Sequence, residues 1–518
     1  MNPHIREIRE IREIRAIRTS YVVTADGVRL ATDLCLPEAP QDARLPAVVI
    51  RTPYDRRRHH GELRGWAARG FAAIAQDVRG RHDSGGDWHP YRGEAADGAA
   101  TLAWIRRQTW SDRRVVAAGA SYAAHCALAL TAGTQPPDAV IAAVPALGPA
   151  ETARETTGPE RLLARAGWWA AHGDRRDSDE DALAKARAED PQLLEHLPVL
   201  DLPSRLGRAL PSWPSLWRHR PDGPAALTAA RSRVPLLAVG GTHDPFAEDT
   251  LRLWHTWGGP ARLLLGPWGH ALTAEPGPDA GAAHRLRLGE LYVRWATAAL
   301  AGSAPAKSGA VALGGSELWL GVGELDTRPK EFRFADCGGL RLLRGPEFTA
   351  DPARPVRSDD LGVPRTGPAD RCLLVTAPQP RPLDLIGPAE VRLRATADTA
   401  VADWAVRLVA LTPEGAARPL ATGVVRHRAH PGRAADVPVP LGHLARRLAA
   451  GTRLRLEIAG HHFPAHARNP HTGEDPLTAT RLLPSARVVD VEGSALLLPV
   501  APPRNFTHAV NPVQEICR

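Results

Sequence analysis

The stretch Val115-Val116-Ala117-Ala118-Gly119-Ala120-Ser121-Tyr122-Ala123-Ala124-His125-Cys126 decides the reading of this chain. Its first four residues are a short apolar run, the mark of a buried strand. The residues after Ser121 are small or helix-forming. A serine placed between such a strand and such a helix sits where a nucleophile elbow would hold it. Small neighbours are needed there so that strand and helix can approach, and Gly119 and Ala123 supply them. The start of the helix also aims free backbone N–H groups at any anion formed beside the serine, which makes the Tyr122 N–H a candidate oxyanion donor. A Gly-x-Ser-x-small pattern is common by chance, and a lone serine at a helix start is usually a cap, so the motif needs company.

Outward from the elbow, the same alternation recurs on both sides. Residues 47–51 and 71–76 read as strands, residues 63–69 and 97–107 as helices, and residues 21–24 and 28–36 as a hairpin turned at Asp26-Gly27. Strands return at 234–239 and 262–265, and a long amphipathic helix is expected at 282–300. Short apolar strands alternating with helices predict a largely parallel sheet covered by helices. The two later strands also run into chemistry. One leads to Gly240-Gly241-Thr242-His243-Asp244, the other to Gly266-Pro267-Trp268-Gly269-His270. Active groups of open α/β sheets gather beyond strand C-termini, and Ser…Asp…His is the chain order of α/β-hydrolases. Ser121, Asp244 and His270 are therefore the expected catalytic triad. His270 would be the general base, Asp244 would orient it, and Ser121 would form an acyl-enzyme.

The predicted organisation has five parts. Residues 1–20 form an extension, 21–147 and 233–302 an α/β-hydrolase core, 148–232 an inserted helical cap, 303–315 a linker, and 316–518 a C-terminal all-β domain, a sandwich or jelly roll. The extension carries Ile5, Ile8, Ile11, Ile14 and Ile17 at a spacing of three, which drifts around a helix; a frayed or locally helical segment outside the site is expected. The linker assignment rests on the Ala, Gly and Ser of 301–315, and the β domain on period-two patterning with Gly/Pro turns.

The sequence is similar to the cocaine-esterase-like and X-prolyl dipeptidyl peptidase hydrolases, the CocE/NonD group, from about residue 21 to about residue 500. The likeness rests on Arg51-Thr52-Pro53-Tyr54-Asp55, Gln76-Asp77-Val78-Arg79-Gly80-Arg81, Ser84-Gly85-Gly86, Ser121-Tyr122, Asp244-Pro245-Phe246 and Leu265-Gly266-Pro267-Trp268-Gly269-His270. Pro382-Leu383-Asp384 and Asn469-Pro470-His471-Thr472-Gly473 extend it into the C-terminal part. The resemblance implies that the Tyr54 phenol and the Tyr122 backbone N–H form the oxyanion hole. Ala124 stands where the family commonly has Gly, and Thr242-His243 where it often has a bulky residue. No long N-terminal domain of the peptidase kind is expected, and the carboxylate cluster that binds a substrate amine in α-amino-acid ester hydrolases has no counterpart identified here.

Together these readings predict a serine hydrolase of a carboxylic ester or amide, with a small-molecule substrate, no cofactor and no metal. An acyltransferase or cyclase using the same triad, an X-prolyl dipeptidyl peptidase and a silent binding protein are the rivals. The basic residues, a formal net charge of +8, are almost all Arg and interleaved with acids, which argues against a nucleic-acid partner. Five dispersed cysteines and the lack of apolar runs predict a cytoplasmic protein without a membrane partner; monomer and homodimer are left open. Among other residues, the His461-to-His466 stretch is broken by Pro464, against a helical zinc motif. His125 is expected to pack on the elbow helix, Cys126 to be a buried apolar residue, and His243 to line the pocket. Asp77, Arg79 and Asp83 are expected to share one charged network. Trp168, Trp169, Trp213 and Trp217 are divided between an apolar pocket and cap packing.

Overall fold

The computed structural model describes residues 12–40, 42–218, 229–302, 307–334 and 339–517. Strands β1 (Arg18–Val23) and β2 (Arg29–Cys35) pair antiparallel around the turn expected at Asp26-Gly27. β3 (Leu45–Thr52), β4 (Ala72–Asp77), β5 (Ser111–Ala120), β6 (Ala139–Ala143), β7 (Leu236–Gly241) and β8 (Ala261–Gly266) then form a parallel run in the order β4-β3-β5-β6-β7-β8. β3, β4, β6, β7 and β8 are buried along their whole length, as strands covered on both faces must be.

Alternate residues serve the two faces. Val49, Ile74 and Ala117 pack with Leu102 and Ile105 of α2 (Glu94–Arg107) and Ala124 and Ala127 of α3 (Tyr122–Ala129). Val48, Ile50 and Val116 pack with Leu63 and Trp66 of α1 (His60–Ala67) and with Leu291 and Trp295 of the helix Leu288–Leu300. That last helix is shorter than the expected 282–300, because Ala282–His284 is a separate 3-10 turn.

Three expectations need correction. The stretch expected as a linker contains Ser308–Leu313, a strand paired parallel with β8. Leu318–Gly321, expected in the C-terminal domain, pairs with it antiparallel, so the main sheet has ten strands among the described residues. The small residues that suggested a linker are what lets this strand lie flush: a Cβ on Gly309 would come within 2.2 Å of the Leu263 carbonyl oxygen. Lastly, residues 12–17 are extended rather than helical. The Arg12 N–H donates to the Ala68 carbonyl, Ile14 bridges to Pro37, and Ile14 and Ile17 pack against the α1 face. Ile5, Ile8 and Ile11 lie outside the described residues, as does Cys337.

Short helices from Pro149–Ala153 to Trp213–Leu216 lie between β6 and β7. Trp169, Trp213 and Trp217 build their core with Leu162, Leu193 and Leu216. The C-terminal part is all antiparallel, with a six-stranded and a five-stranded sheet sharing one core, for example Val391 and Val439 against Val406 and Leu456. Arg426 ties it to the inserted helices, pairing with Glu160 at 2.9 Å and with Asp403 at 2.8 Å. Among the described residues, no helix is long and apolar enough to cross a membrane.

Candidate active site

Ser121 stands at the junction of β5 and α3 with φ 57° and ψ −122°. A non-glycine residue there is strained by about 1–3 kcal/mol and persists only where its surroundings fix it. Here the Ser121 N–H donates to Ala143 O of the neighbouring strand at 3.0 Å. Its carbonyl accepts from Ala124, His125 and Ala146. Gly119 is what allows the turn, since a Cβ on it would lie 2.3 Å from the Ala123 carbonyl group.

The register brings the other expected residues to the same edge. Ala120 lies beside Ala143, Ala143 beside Val239, and Gly241 beside Gly266. The loops after β7 and β8 therefore leave the sheet level with the elbow. There His270 Nδ1 and Asp244 Oδ1 are paired at 2.8 Å. The Asp244 side chain is fully buried while that of His270 is 43% exposed. The Phe246 ring meets the imidazole edge-on, with centroids 5.6 Å apart. Among the described residues no hydrogen bond joins Ser121 Oγ to His270; the partner of Ser121 Oγ is Tyr54.

Tyr54 follows β3. Its hydroxyl donates to Ser121 Oγ at 3.4 Å and accepts from Trp168 Nε1 at 3.1 Å. Burial pushes the phenol above its ordinary pKa, while the contacts with Ser121, Trp168 and the Tyr122 backbone N–H pull it back. It therefore keeps its proton at neutral pH and can donate it in a hydrogen bond. The Tyr122 side chain is anchored below: its hydroxyl donates to Glu94 at 3.0 Å, and Glu94 pairs with the buried Arg51 at 3.1 Å.

Some of the other residues stand elsewhere than expected, and His125 and Cys126 stand where expected. His243 turns from the site to Asp279 at 2.5 Å, with Arg446 beside it. The expected Asp77/Arg79/Asp83 network is two networks. Arg56 gathers Asp33, Asp77 and Asp83 at 2.7–3.0 Å, whereas Arg79 pairs with Asp26 and Asp97. His125 packs on Tyr91 and Tyr122, its pKa lowered by burial, and Cys126 is buried. His462 and His466 face each other with their Nδ1 atoms 3.3 Å apart, and His466 Nε2 contacts Glu155 at 3.0 Å. Of the four tryptophans, Trp168 alone reaches the site. It stacks on Tyr122 at 5.6 Å, beside Tyr91 and His172. Sequence reasoning did not find Tyr91 or His172, which only their nearness in space to Tyr54 and Trp168 singles out, and it quoted Phe246 in a motif without giving it a place at the site. A cavity of 540 Å³ opens on the α1 face behind Gly119 and Ala120, and none of Tyr54, Ser121, Asp244 and His270 is in its lining.

This arrangement offers a serine hydroxyl, a phenol hydroxyl beside it, and an imidazole held by a buried carboxylate. Known proteins share its frame. Residues 26–272 match the X-Pro dipeptidyl-peptidase (S15 family) model, and residues 292–501 match the X-Pro dipeptidyl-peptidase C-terminal non-catalytic domain. The cocaine esterase of Rhodococcus sp. (strain MB1 Bresler) is 26% identical over 86% of this chain and 91% of its own length. An aminopeptidase from the marine sediment archaeon Thaumarchaeota archaeon superposes with a TM-score of 0.76 at 17% identity, covering 97% of this chain and 98% of its own. An α-amino acid ester hydrolase does so with 0.73 at 18% identity, covering 97% and 100%. The chain belongs to the S15 and cocaine-esterase-like (CocE/NonD) family of α/β-fold serine hydrolases.

Proposed function

We propose that Ser121, His270 and Asp244 are the catalytic triad of a hydrolase acting on a carboxylic ester or amide, with Tyr54 and the Tyr122 N–H as its oxyanion hole. The observations that support this reading are the buried Asp244 paired with His270 Nδ1 at 2.8 Å and the Tyr54 hydroxyl at 3.4 Å from the Oγ of a serine held on a strained strand-to-helix turn. In the proposed cycle His270 takes the Ser121 proton as Oγ attacks the carbonyl carbon. The carbonyl oxygen becomes an anion held by the two donors, which act only once charge develops and therefore lower the barrier. His270 returns the proton to the leaving alcohol or amine. Water, activated by the same imidazole, then resolves the acyl-enzyme.

Asp244, buried and paired with Nδ1, would keep the Nε2 lone pair free to serve as base. The Ser121–His270 hydrogen bond would have to form on substrate binding, as catalytic hydrogen bonds commonly tighten only then. The 43% exposure of His270 gives water access to the base, which favours hydrolysis over acyl transfer to a sheltered acceptor. Replacing Ser121 with Ala tests the reading: kcat on aryl esters is expected to fall by about 10⁶. Turnover near that of the unaltered enzyme would end it.

A further inference from the structure

We propose that Arg165 is a substrate-binding residue that receives a carboxylate carried by the ester or amide, so that anionic acyl derivatives or anionic leaving groups are the preferred substrate class. This rests on the assignment of Ser121 as nucleophile.

Arg165 lies on the helix Leu162–His172 and is 3% exposed. Its Nε and Nη1 are buried without any hydrogen-bond partner, and among the described residues no carboxylate is paired with it. Several other buried arginines meet carboxylates: Arg56 meets Asp33, Asp77 and Asp83, Arg426 meets Glu160 and Asp403, and Arg407 meets Glu457. A guanidinium removed from water is costly unless an anion meets it. The Trp168 and Trp169 rings offer little in exchange. Both centroids are 5.9 Å away, near the outer limit of about 6 Å for cation–π attraction.

Its place on the helix aims it at the site. Three residues on, Trp168 donates to Tyr54; seven on, the His172 ring lies 5.0 Å from the Tyr54 ring. Four residues back, Arg161 feels the charge of Asp244. Arg165 is thus held between the Asp244 side and the Tyr54 side of the site. Burial lowers its pKa, as does Arg161, while the Tyr91 hydroxyl favours the charged form. A guanidinium with free donors is a charge-assisted hydrogen-bonding partner for a carboxylate oxygen.

Two pairs of esters test this. In p-nitrophenyl butyrate and p-nitrophenyl hemisuccinate, a methyl and a carboxylate exchange on the acyl side. In 4-ethylphenyl and 4-(carboxymethyl)phenyl butyrate they exchange on the leaving side. In the unaltered enzyme the anionic member of at least one pair is expected to have about tenfold or more the kcat/KM of its neutral partner. Arg165→Gln should lower that ratio about tenfold or more, mainly through KM, and Arg165→Lys should recover part of it. A cooperative thermal transition and fluorophosphonate labelling of Ser121 check that each variant is folded. Should neither variant fold, the ratios of the unaltered enzyme decide alone. Ratios at or below one in both pairs, or an equal loss on both members of each pair in Arg165→Gln, would overturn the inference and leave Arg165 a packing residue. If the unaltered enzyme turns over no ester and the probe leaves Ser121 unlabelled, the hydrolase reading fails first and takes the inference with it.

Discussion

Ser121, Asp244 and His270 leave the ends of three parallel strands, whereas Trp168, His172 and Arg165 come from one helix of the inserted segment. The strand ends are fixed by ladder hydrogen bonds and by buried residues on both faces of the sheet. The helix is fixed by aromatic edges and by Arg81. That buried side chain donates to Pro53 O beside Tyr54 and to the His172 and Arg175 carbonyls and Ser178 Oγ in the segment. The difference teaches a division of labour. Under the proposed assignment, geometry that must not vary between substrates sits on strand termini, and the surface that would select among them sits on a layer that can be re-equipped without disturbing the sheet.

Three experiments press on that division. The largest expected effect belongs to the sheet edge. Asp244→Asn should reduce kcat by about 10⁴, because an amide no longer holds the imidazole in the tautomer with a free Nε2. Circular dichroism should remain unchanged. A loss below tenfold would detach Asp244 from the chemistry. Tyr54→Phe probes the boundary between the two regions, since Tyr54 follows a strand yet is positioned by Trp168. Removing one oxyanion donor should cost about 10²–10³ in kcat with KM little altered. An effect confined to KM would make the phenol part of the selecting surface.

The smallest effect is on stability in acid, and it should fall on the helical and C-terminal layers. Burial lowers His172, His461 and His462 from 6.5 to about 3, and His471 to about 4. These imidazoles stay neutral in the fold but take up protons in the unfolded chain. The stability they contribute is therefore complete above about pH 6.5 and is lost as pH falls toward 4 and 3. Melting curves between pH 7 and 4 should show Tm falling throughout that window. Hydrogen exchange should rise at 162–172 and 461–471 before it rises in β5–β8. Loss of protection in β5–β8 first would contradict the contrast.

Much of the sheet region was legible in the sequence, and for a physical reason. A strand buried on both faces reads as an apolar run, and a candidate catalytic residue just past it is marked by the glycines that end the strand, as at Gly119-Ala120-Ser121 and Gly240 to Asp244. The site's upper surface was not legible. Nothing local distinguishes Trp168 from Trp169, since the two neighbours differ only in which side of the helix faces Tyr54. Arg56 was missed because its three carboxylates come from β2, β4 and the following loop and meet only when β2 pairs with β4. The strand Ser308–Leu313 was mistaken for a linker because a flush-packed strand needs the same small residues as a loose connection.

The most direct test is covalent. Incubation with a fluorophosphonate probe, followed by peptide mapping, should place one adduct per chain on Ser121. The adduct should be lost in Ser121→Ala and should form far more slowly in His270→Ala. An unmodified Ser121, or labelling that proceeds at full rate without His270, would contradict the proposed triad.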